Sequence, residues 1–127
     1  DQFWLDGIAK QAAMFGFDAP TPVVVNQWLN NGDTLTLGNY SFSVWHTPGH
    51  TPGHVVIYSA DLNHVWTGDV LFKGSIGRTD FPQGNHAQLL SSIQNTLFTL
   101  PESTTFSCGH GPNSTIGYEK ANNPYFK

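Results

Sequence analysis

The sequence has 127 residues, enough for one domain, and its 39% hydrophobic and 11% charged residues exclude a disordered chain. A net charge of −4 with five lysines and arginines excludes a basic surface for nucleic acid, and no apolar run approaches the roughly 18 residues of a membrane span. The single cysteine, Cys108, excludes an internal disulfide and favours a cytoplasmic protein.

The first half of the chain predicts a helix followed by strands. Apolar side chains recur at helical spacing across residues 1–15, which predicts one amphipathic helix that ends at Gly16. Alternating or wholly apolar stretches predict strands over residues 34–37, 40–45, 55–58, 65–66 and 104–108. The run 55–58 is apolar at every position, which is typical of a strand buried on both faces. A Gly38-Asn39 pair suits a two-residue hairpin turn between the first two strands.

A second helix is predicted between the last two strands. Asn85 is a favourable N-cap residue, and the positions after it form an apolar stripe of Leu89, Leu90, Ile93 and Leu97. No repeat, low-complexity tract or linker interrupts the chain. The elements together predict a single mixed α/β unit.

Three short segments place possible metal ligands at the ends of predicted strands. They are HTPGHTPGH at residues 46–54, TGD at 67–69 and CGHGP at 108–112. Strand ends beside tight turns are rigid anchors with exposed tips, and the neighbouring glycines allow close approach of the backbone. Histidine and aspartate together suit zinc, iron or manganese. These segments therefore predict a metal site.

The same segments resemble the metallo-β-lactamase superfamily and, within it, the glyoxalase II-like hydrolases. The stretches GSIGRTDFPQGN at residues 74–85 and TIGYEKANNPY at 115–125 also resemble this subfamily, so the resemblance covers nearly the whole chain. It implies an αββα sandwich of the mixed α/β class. It also implies that His50 binds a first metal, that Asp69 bridges two metals and that His110 binds the second.

One departure from the family pattern is large. The family's first ligand cluster, His-x-His-x-Asp-His, is absent from this sequence. The chain also opens at Asp1, and its only methionine is Met14. We therefore expect residues 1–127 to be the C-terminal part of a single domain, the second half of the sandwich, and to be inactive alone.

The resemblance implies a metal-dependent hydrolase of glutathione thioesters such as S-lactoylglutathione. Two zinc ions are expected in the intact protein, with iron or manganese as alternatives. A metal lowers the pKa of bound water to about 7, and the resulting hydroxide attacks the thioester carbonyl. A thiolate leaving group, with a pKa near 8.5, needs no strong general acid.

Other polar residues near these segments have competing interpretations. Arg78 could bind a substrate carboxylate or form an ion pair with Asp80 that stabilises the loop, and Lys73 is a weaker candidate for the same substrate contact. His46 and His54 are expected to support the ligand turn through hydrogen bonds. Cys108 is expected to be an inert thiol, since no activating base is evident.

Three alternative functions remain. The closest is a persulfide dioxygenase, a relative with one iron and a similar G-R-T-D-F stretch. The second is a β-lactamase, which the GRTDFP loop disfavours. The third belongs to a different class, a non-catalytic binding module that would hold a thioester without turnover.

Overall fold

The computed structural model describes all 127 residues, which form four helices, eight short strands and two 3₁₀ turns. The helices are α1 (Gln2–Asp6), α2 (Ile8–Met14), α3 (His86–Asn95) and α4 (Ile116–Asn122). The strands are β1 (Thr34–Leu37), β2 (Tyr40–His46), β3 (Val55–Ser59), β4 (His64–Gly68), β5 (Leu71–Phe72), β6 (Ser75–Ile76), β7 (Thr105–Cys108) and β8 (Ser114–Thr115). The 3₁₀ turns are Leu97–Thr99 and Pro124–Phe126. None of the helices has the length and apolar character needed to cross a membrane.

The strand order brings three loops to one edge of the main sheet. This sheet has the order β1-β2-β3-β4-β7-β8, and β5 and β6 form a separate hairpin. Neighbouring strands are antiparallel except β4 and β7, which are parallel because the chain crosses over through α3. Strand β3 therefore starts where β2 and β4 end, and β7 ends beside β4. The turns after β2, β4 and β7 meet at this edge.

The core lies on one face of the sheet. Val56, Val65 and Phe106 project from β3, β4 and β7 towards α3, and all three are fully buried. Leu89 and Ile93 on α3 pack against them. Truncation of such residues to alanine costs about 2–5 kcal/mol, so this packing holds α3 firmly against the sheet.

The opposite face of the sheet is apolar but largely uncovered. It carries Leu37, Tyr40, Phe42, Ile57, Leu62 and Trp66. Leu37 is 73% exposed and Trp66 is 39% exposed, while Ile57 is only half-buried. The expectation that the strand over 55–58 is buried on both faces is therefore wrong, because Ile57 keeps part of its surface exposed on this face.

The predicted local elements are mostly present. The strands, the Gly38-Asn39 turn and the helix after Asn85 are confirmed, and the Asn85 side chain accepts a hydrogen bond from the Gln88 backbone N–H at 2.9 Å. The helix expected over residues 1–15 is instead two helices separated at Gly7. Glycine has a low helix propensity, and neither short helix contains a fully buried residue to compensate.

Candidate metal centre

The three residues assigned as metal ligands lie together at the edge where the turns meet. His50 Nε2 lies 3.8 Å from Asp69 Oδ2, and His110 Nε2 lies 3.7 Å from Asp69 Oδ1. These side chains open into a cavity of about 580 Å³ lined by His50, Asp69, Phe72, Lys73, Ser75, Ile76, Gly77, Arg78, Phe81, His110, Gly111 and Pro112. The structure thus brings the three predicted residues together in a site accessible to a ligand.

The donor atoms have spacings that metal ions could span. Two donors bound to one zinc ion at about 2.1 Å each cannot lie more than about 4.2 Å apart. Both donor pairs satisfy this limit, and each uses a different oxygen of Asp69. No group of three or more His, Cys, Asp or Glu side chains is arranged to hold one ion. Each histidine is therefore close enough to Asp69 for the pair to share an ion.

The orientation of His50 is determined by hydrogen bonding. Its Nδ1–H donates to the Arg78 carbonyl at 2.7 Å, and a carbonyl can only accept. The other nitrogen, Nε2, is therefore unprotonated in the neutral ring and faces Asp69 with a free lone pair. This arrangement is common for metal-binding histidines, in which a hydrogen bond at one nitrogen orients the other.

The turn that carries His50 is held by α3. The Asn85 backbone N–H donates to the Gly49 carbonyl at 2.8 Å, and the Ser92 hydroxyl donates to the Pro48 carbonyl at 2.8 Å. Gly49 has φ of 136°, and a Cβ there would collide with the backbone of Leu89. Only glycine allows the turn to approach the helix this closely.

Asp69 is surrounded by glycines that leave no room for side chains. A Cβ on Gly77 would collide with the Asp69 carbonyl, and one on Gly109 would collide with the Asp69 carboxylate. The Gly109 backbone N–H donates to the Gly68 carbonyl at 2.8 Å and so links the turns after β4 and β7. The glycines therefore set how closely the Asp69 and His110 turns approach each other.

His54 supports Asp69 through a hydrogen bond, as expected. The Asp69 backbone N–H donates to His54 Nε2 at 3.2 Å. Burial lowers the pKa of His54 to about 4, and the neighbouring His50 acts in the same direction, so the ring is neutral at pH 7 and can accept this bond. His54 Nδ1 is buried without a hydrogen-bond partner. His46 Nε2 is hydrogen-bonded to the Pro52 carbonyl at 2.6 Å and closes the same turn.

His110 is held less tightly than His50. Its side chain is 78% exposed, whereas that of His50 is 13% exposed. The His110 ring packs on Phe72, with the ring centroids 4.7 Å apart. The Cys108 thiol donates to the His110 carbonyl at 3.0 Å, so this half-buried thiol helps to shape the turn.

Arg78 makes the ion pair that the sequence left as an alternative. Its guanidinium donates two hydrogen bonds of 2.7 Å to Asp80 and lies 4.0 Å from the centre of the Phe81 ring. The same bonds lower the pKa of Asp80 to about 2. Arg78 also lines the cavity.

Several residues at this edge were not identified from the sequence. Phe72, Ile76 and Phe81 form the apolar part of the cavity wall. Their position next to the TGD and GRTD segments was the available signal, but Phe72 and Ile76 are directed by the β5–β6 hairpin and Phe81 by the loop that follows it. His64 lies away from the cavity, where its ring is hydrogen-bonded to Thr105 and Ser107 on the neighbouring strand.

Comparisons of sequence with known proteins agree on one family. The family model of the metallo-β-lactamase superfamily matches residues 1–110. The hydroxyacylglutathione hydrolase GloC of Haemophilus influenzae is 40% identical over 126 residues, which cover 98% of this chain and 59% of that protein. The probable metallo-hydrolase YqgX of Bacillus subtilis is 46% identical over 91 residues, 72% of this chain and 43% of that protein.

Solved structures show the same relationship. The B3 metallo-β-lactamase BLEG-1 has a TM-score of 0.86 and 42% identity over 98% of this chain and 60% of its own. TTHA1623 in a di-iron-bound form has a TM-score of 0.85 and 37% identity, covering 98% of this chain and 61% of its own. ETHE1 from Myxococcus xanthus has a TM-score of 0.72 and 36% identity over 80% of this chain and 48% of its own. This chain therefore spans about 60% of the length of relatives that match nearly all of it.

Proposed function

This chain belongs to the metallo-β-lactamase superfamily, and we propose that the protein containing it is a metal-dependent hydrolase of glutathione thioesters such as S-lactoylglutathione. The observation that carries the proposal is the Asp69 carboxylate, which presents one oxygen to His50 and the other to His110 at the base of an open cavity. A relative named hydroxyacylglutathione hydrolase, 40% identical over nearly the whole chain, supports the choice of substrate class.

His50, Asp69 and His110 would hold two metal ions, with Asp69 as the shared ligand. The bound ions, zinc or else iron or manganese, would supply hydroxide at neutral pH and stabilise negative charge on the thioester carbonyl. The chain keeps His50 Nε2 free for this role through the Arg78 carbonyl, and it holds Asp69 in place through the His54 ring.

The lining of the cavity suits a thioester. It contains no carboxylic acid or histidine besides the three proposed ligands. An amide nitrogen must be protonated as it leaves, whereas a thiolate with a pKa near 8.5 leaves without a strong acid. The cations Lys73 and Arg78 lie at the cavity and would attract the carboxylates of a glutathione moiety, with Arg78 shared between substrate and Asp80.

We further infer that residues 1–127 form the C-terminal part of one catalytic domain. A zinc site needs three or four ligands, and this chain places only two donors near each proposed ion. The remaining ligands would come from other residues of the intact protein. The uncovered apolar face of the sheet is consistent with a larger domain.

The test is hydrolysis of S-lactoylglutathione by the full-length protein with measured metal content. We expect turnover in the wild type and none in Asp69→Ala, because that change removes the carboxylate shared by both ions. Asp61→Ala is the matched control, since Asp61 accepts a hydrogen bond from the Ser41 backbone at the far end of the sheet. Unchanged turnover in Asp69→Ala would refute the role of Asp69, and an inactive wild type with a full complement of metal would refute the substrate.

A persulfide dioxygenase is the second candidate, favoured by the likeness to ETHE1 at 36% identity. The assay is oxygen consumption with glutathione persulfide, together with the iron content per chain. One iron per chain together with oxygen uptake would show that the protein is a dioxygenase and would refute the proposed hydrolase. The two functions differ in metal count and in oxygen uptake, so the two measurements together separate them.

A further inference from the structure

Glu119 on α4 is a fully buried carboxylate outside the proposed ligand set. It is surrounded by neutral donors: its Oε2 accepts from the Gly74 backbone N–H and the Asn123 amide, both at 2.9 Å. Its Oε1 accepts from the Ser114 hydroxyl at 2.6 Å. A buried charged group is tolerated only with such partners, so these three bonds strongly restrain the segments that supply them.

The Gly74 bond joins Glu119 to the β5–β6 hairpin, which forms one wall of the cavity. Gly74 lies between Lys73 and Ser75, both of which line the cavity. Asn123 also donates to the Ser75 carbonyl at 3.1 Å and so reinforces the same contact. Strands β5 and β6 share only two residue pairs, and a two-stranded hairpin of this size is marginal without external support. Glu119 and Asn123 provide that support.

The Ser114 bond joins Glu119 to the loop that carries His110. Ser114 ends this loop at β8, four residues after His110. The His110 ring packs on Phe72, which belongs to the hairpin held by Glu119. Glu119 is therefore bonded to both segments whose side chains meet in the Phe72–His110 contact.

We propose that Glu119 is a positioning residue that sets the place of His110 beside Asp69 by joining the β5–β6 hairpin to the His110 loop. This inference rests on the proposed metal-binding role of His110. The two histidines are then positioned by different parts of the fold. His50 is positioned by α3 and the Arg78 carbonyl, and His110 is positioned by Glu119 through Phe72.

The experiment compares metal binding by full-length wild type, Glu119→Ala and Glu119→Gln, using zinc titration with competing chelator. In Glu119→Ala we expect one of two ions to bind roughly 10–100-fold more weakly, as when hydrogen-bond partners behind metal ligands are removed, with the other ion retained. Glu119→Gln should restore binding, because its amide oxygen can accept from Gly74 and Asn123 while its amide nitrogen donates to Ser114. Thr104→Val is the control for stability, since it removes a part-buried hydrogen bond to Asn63 at the opposite end of β7.

A second measurement needs no metal. Proton NMR of the metal-free full-length protein reports the Phe72–His110 contact through the ring-current shift of His110. Glu119→Ala should move the His110 signal towards that of a histidine without an aromatic neighbour, because the Phe72 ring would no longer be held against it. The signal of His64, whose ring lies 4.6 Å from Trp66 on the other face of the sheet, should not move.

The outcomes separate the inference from the proposed function. Equal zinc binding and an unshifted His110 signal in Glu119→Ala would overturn the positioning role. Equal losses in Glu119→Ala and Thr104→Val would also overturn it, because stability alone would explain them. A wild type that binds no metal would refute the proposed function, and the His110 signal would then decide the role of Glu119. If Glu119→Ala does not fold, Ser114→Ala and Asn123→Ala test the same expectation, since the first removes one bond of the network and the second removes the bonds of Asn123 to Glu119 and to the Ser75 carbonyl.

Discussion

The two histidines that face Asp69 are held in different ways. His50 is 13% exposed, its turn is hydrogen-bonded to α3, and its Nδ1 donates to the Arg78 carbonyl. His110 is 78% exposed and rests on the Phe72 ring. The His50 side of the site is held by the core of this chain, and the His110 side depends on the loop after β7 and on the β5–β6 hairpin. We therefore expect changes in the core to act on the His50 side and changes in α4 to act on the His110 side.

The largest expected effect is on zinc affinity and concerns the His50 side and the His110 side alike. The isolated 127-residue chain should bind zinc several orders of magnitude more weakly than the full-length protein, because each proposed ion has only two donors here. It should also be inactive. Calorimetric titration of both proteins with zinc measures the difference. Equal affinity and stoichiometry would show that residues 1–127 form a complete site.

The next prediction compares two glycines with positive φ, one in each histidine turn. Gly49→Ala should destabilise the protein by about 3 kcal/mol or more, from backbone strain together with overpacking against Leu89. Gly111→Ala should cost about 1–2 kcal/mol, the strain alone, because a Cβ there meets nothing closer than Cys108 Sγ at 3.9 Å. Denaturant unfolding measures both. Equal costs would mean that α3 does not hold the His50 turn more tightly.

A smaller effect is expected on α3 itself. Ser92→Ala removes the hydrogen bond to the Pro48 carbonyl and should cost about 1 kcal/mol. Ser91→Ala is the matched control on the same helix, since Ser91 only accepts a bond from exposed Asn95. Thermal unfolding compares the two variants. If the Ser92→Ala protein is as stable as the Ser91→Ala protein, the bond from Ser92 to the Pro48 carbonyl does not stabilise the turn.

The smallest effect is expected at the rim of the cavity. Arg78→Ala should raise KM for the glutathione thioester roughly two- to fivefold with kcat little changed, because an exposed cation adds modest, screened attraction. Asp80→Ala should lower KM, since it releases the guanidinium from its ion pair. Steady-state kinetics at low and high salt tests both. If KM rises in both variants, the ion pair itself shapes the cavity and Arg78 does not contact substrate.

Local sequence patterns determined most of the elements, and the resemblance to a known family identified the converging residues. Period-two alternation predicted β1 and β2, and Asn85 predicted the start of α3, because these features depend on neighbouring residues alone. The segments HTPGHTPGH, TGD and CGHGP predicted ligand-bearing turns at strand ends. The sequence did not predict the break at Gly7, where a weak helix former interrupts a continuous apolar pattern and no packing compensates.

Only the tertiary structure decided how these turns form a site. His50 and Asp69 share an edge because β3 and β4 are antiparallel, and His110 joins them because β4 and β7 are parallel. The free nitrogen of His50 depends on a carbonyl 28 residues away, and the support for His110 depends on a buried carboxylate in α4. Strand pairing and long-range hydrogen bonds of this kind join residues that no local pattern relates, so the sequence identifies the candidate ligands but not their geometry.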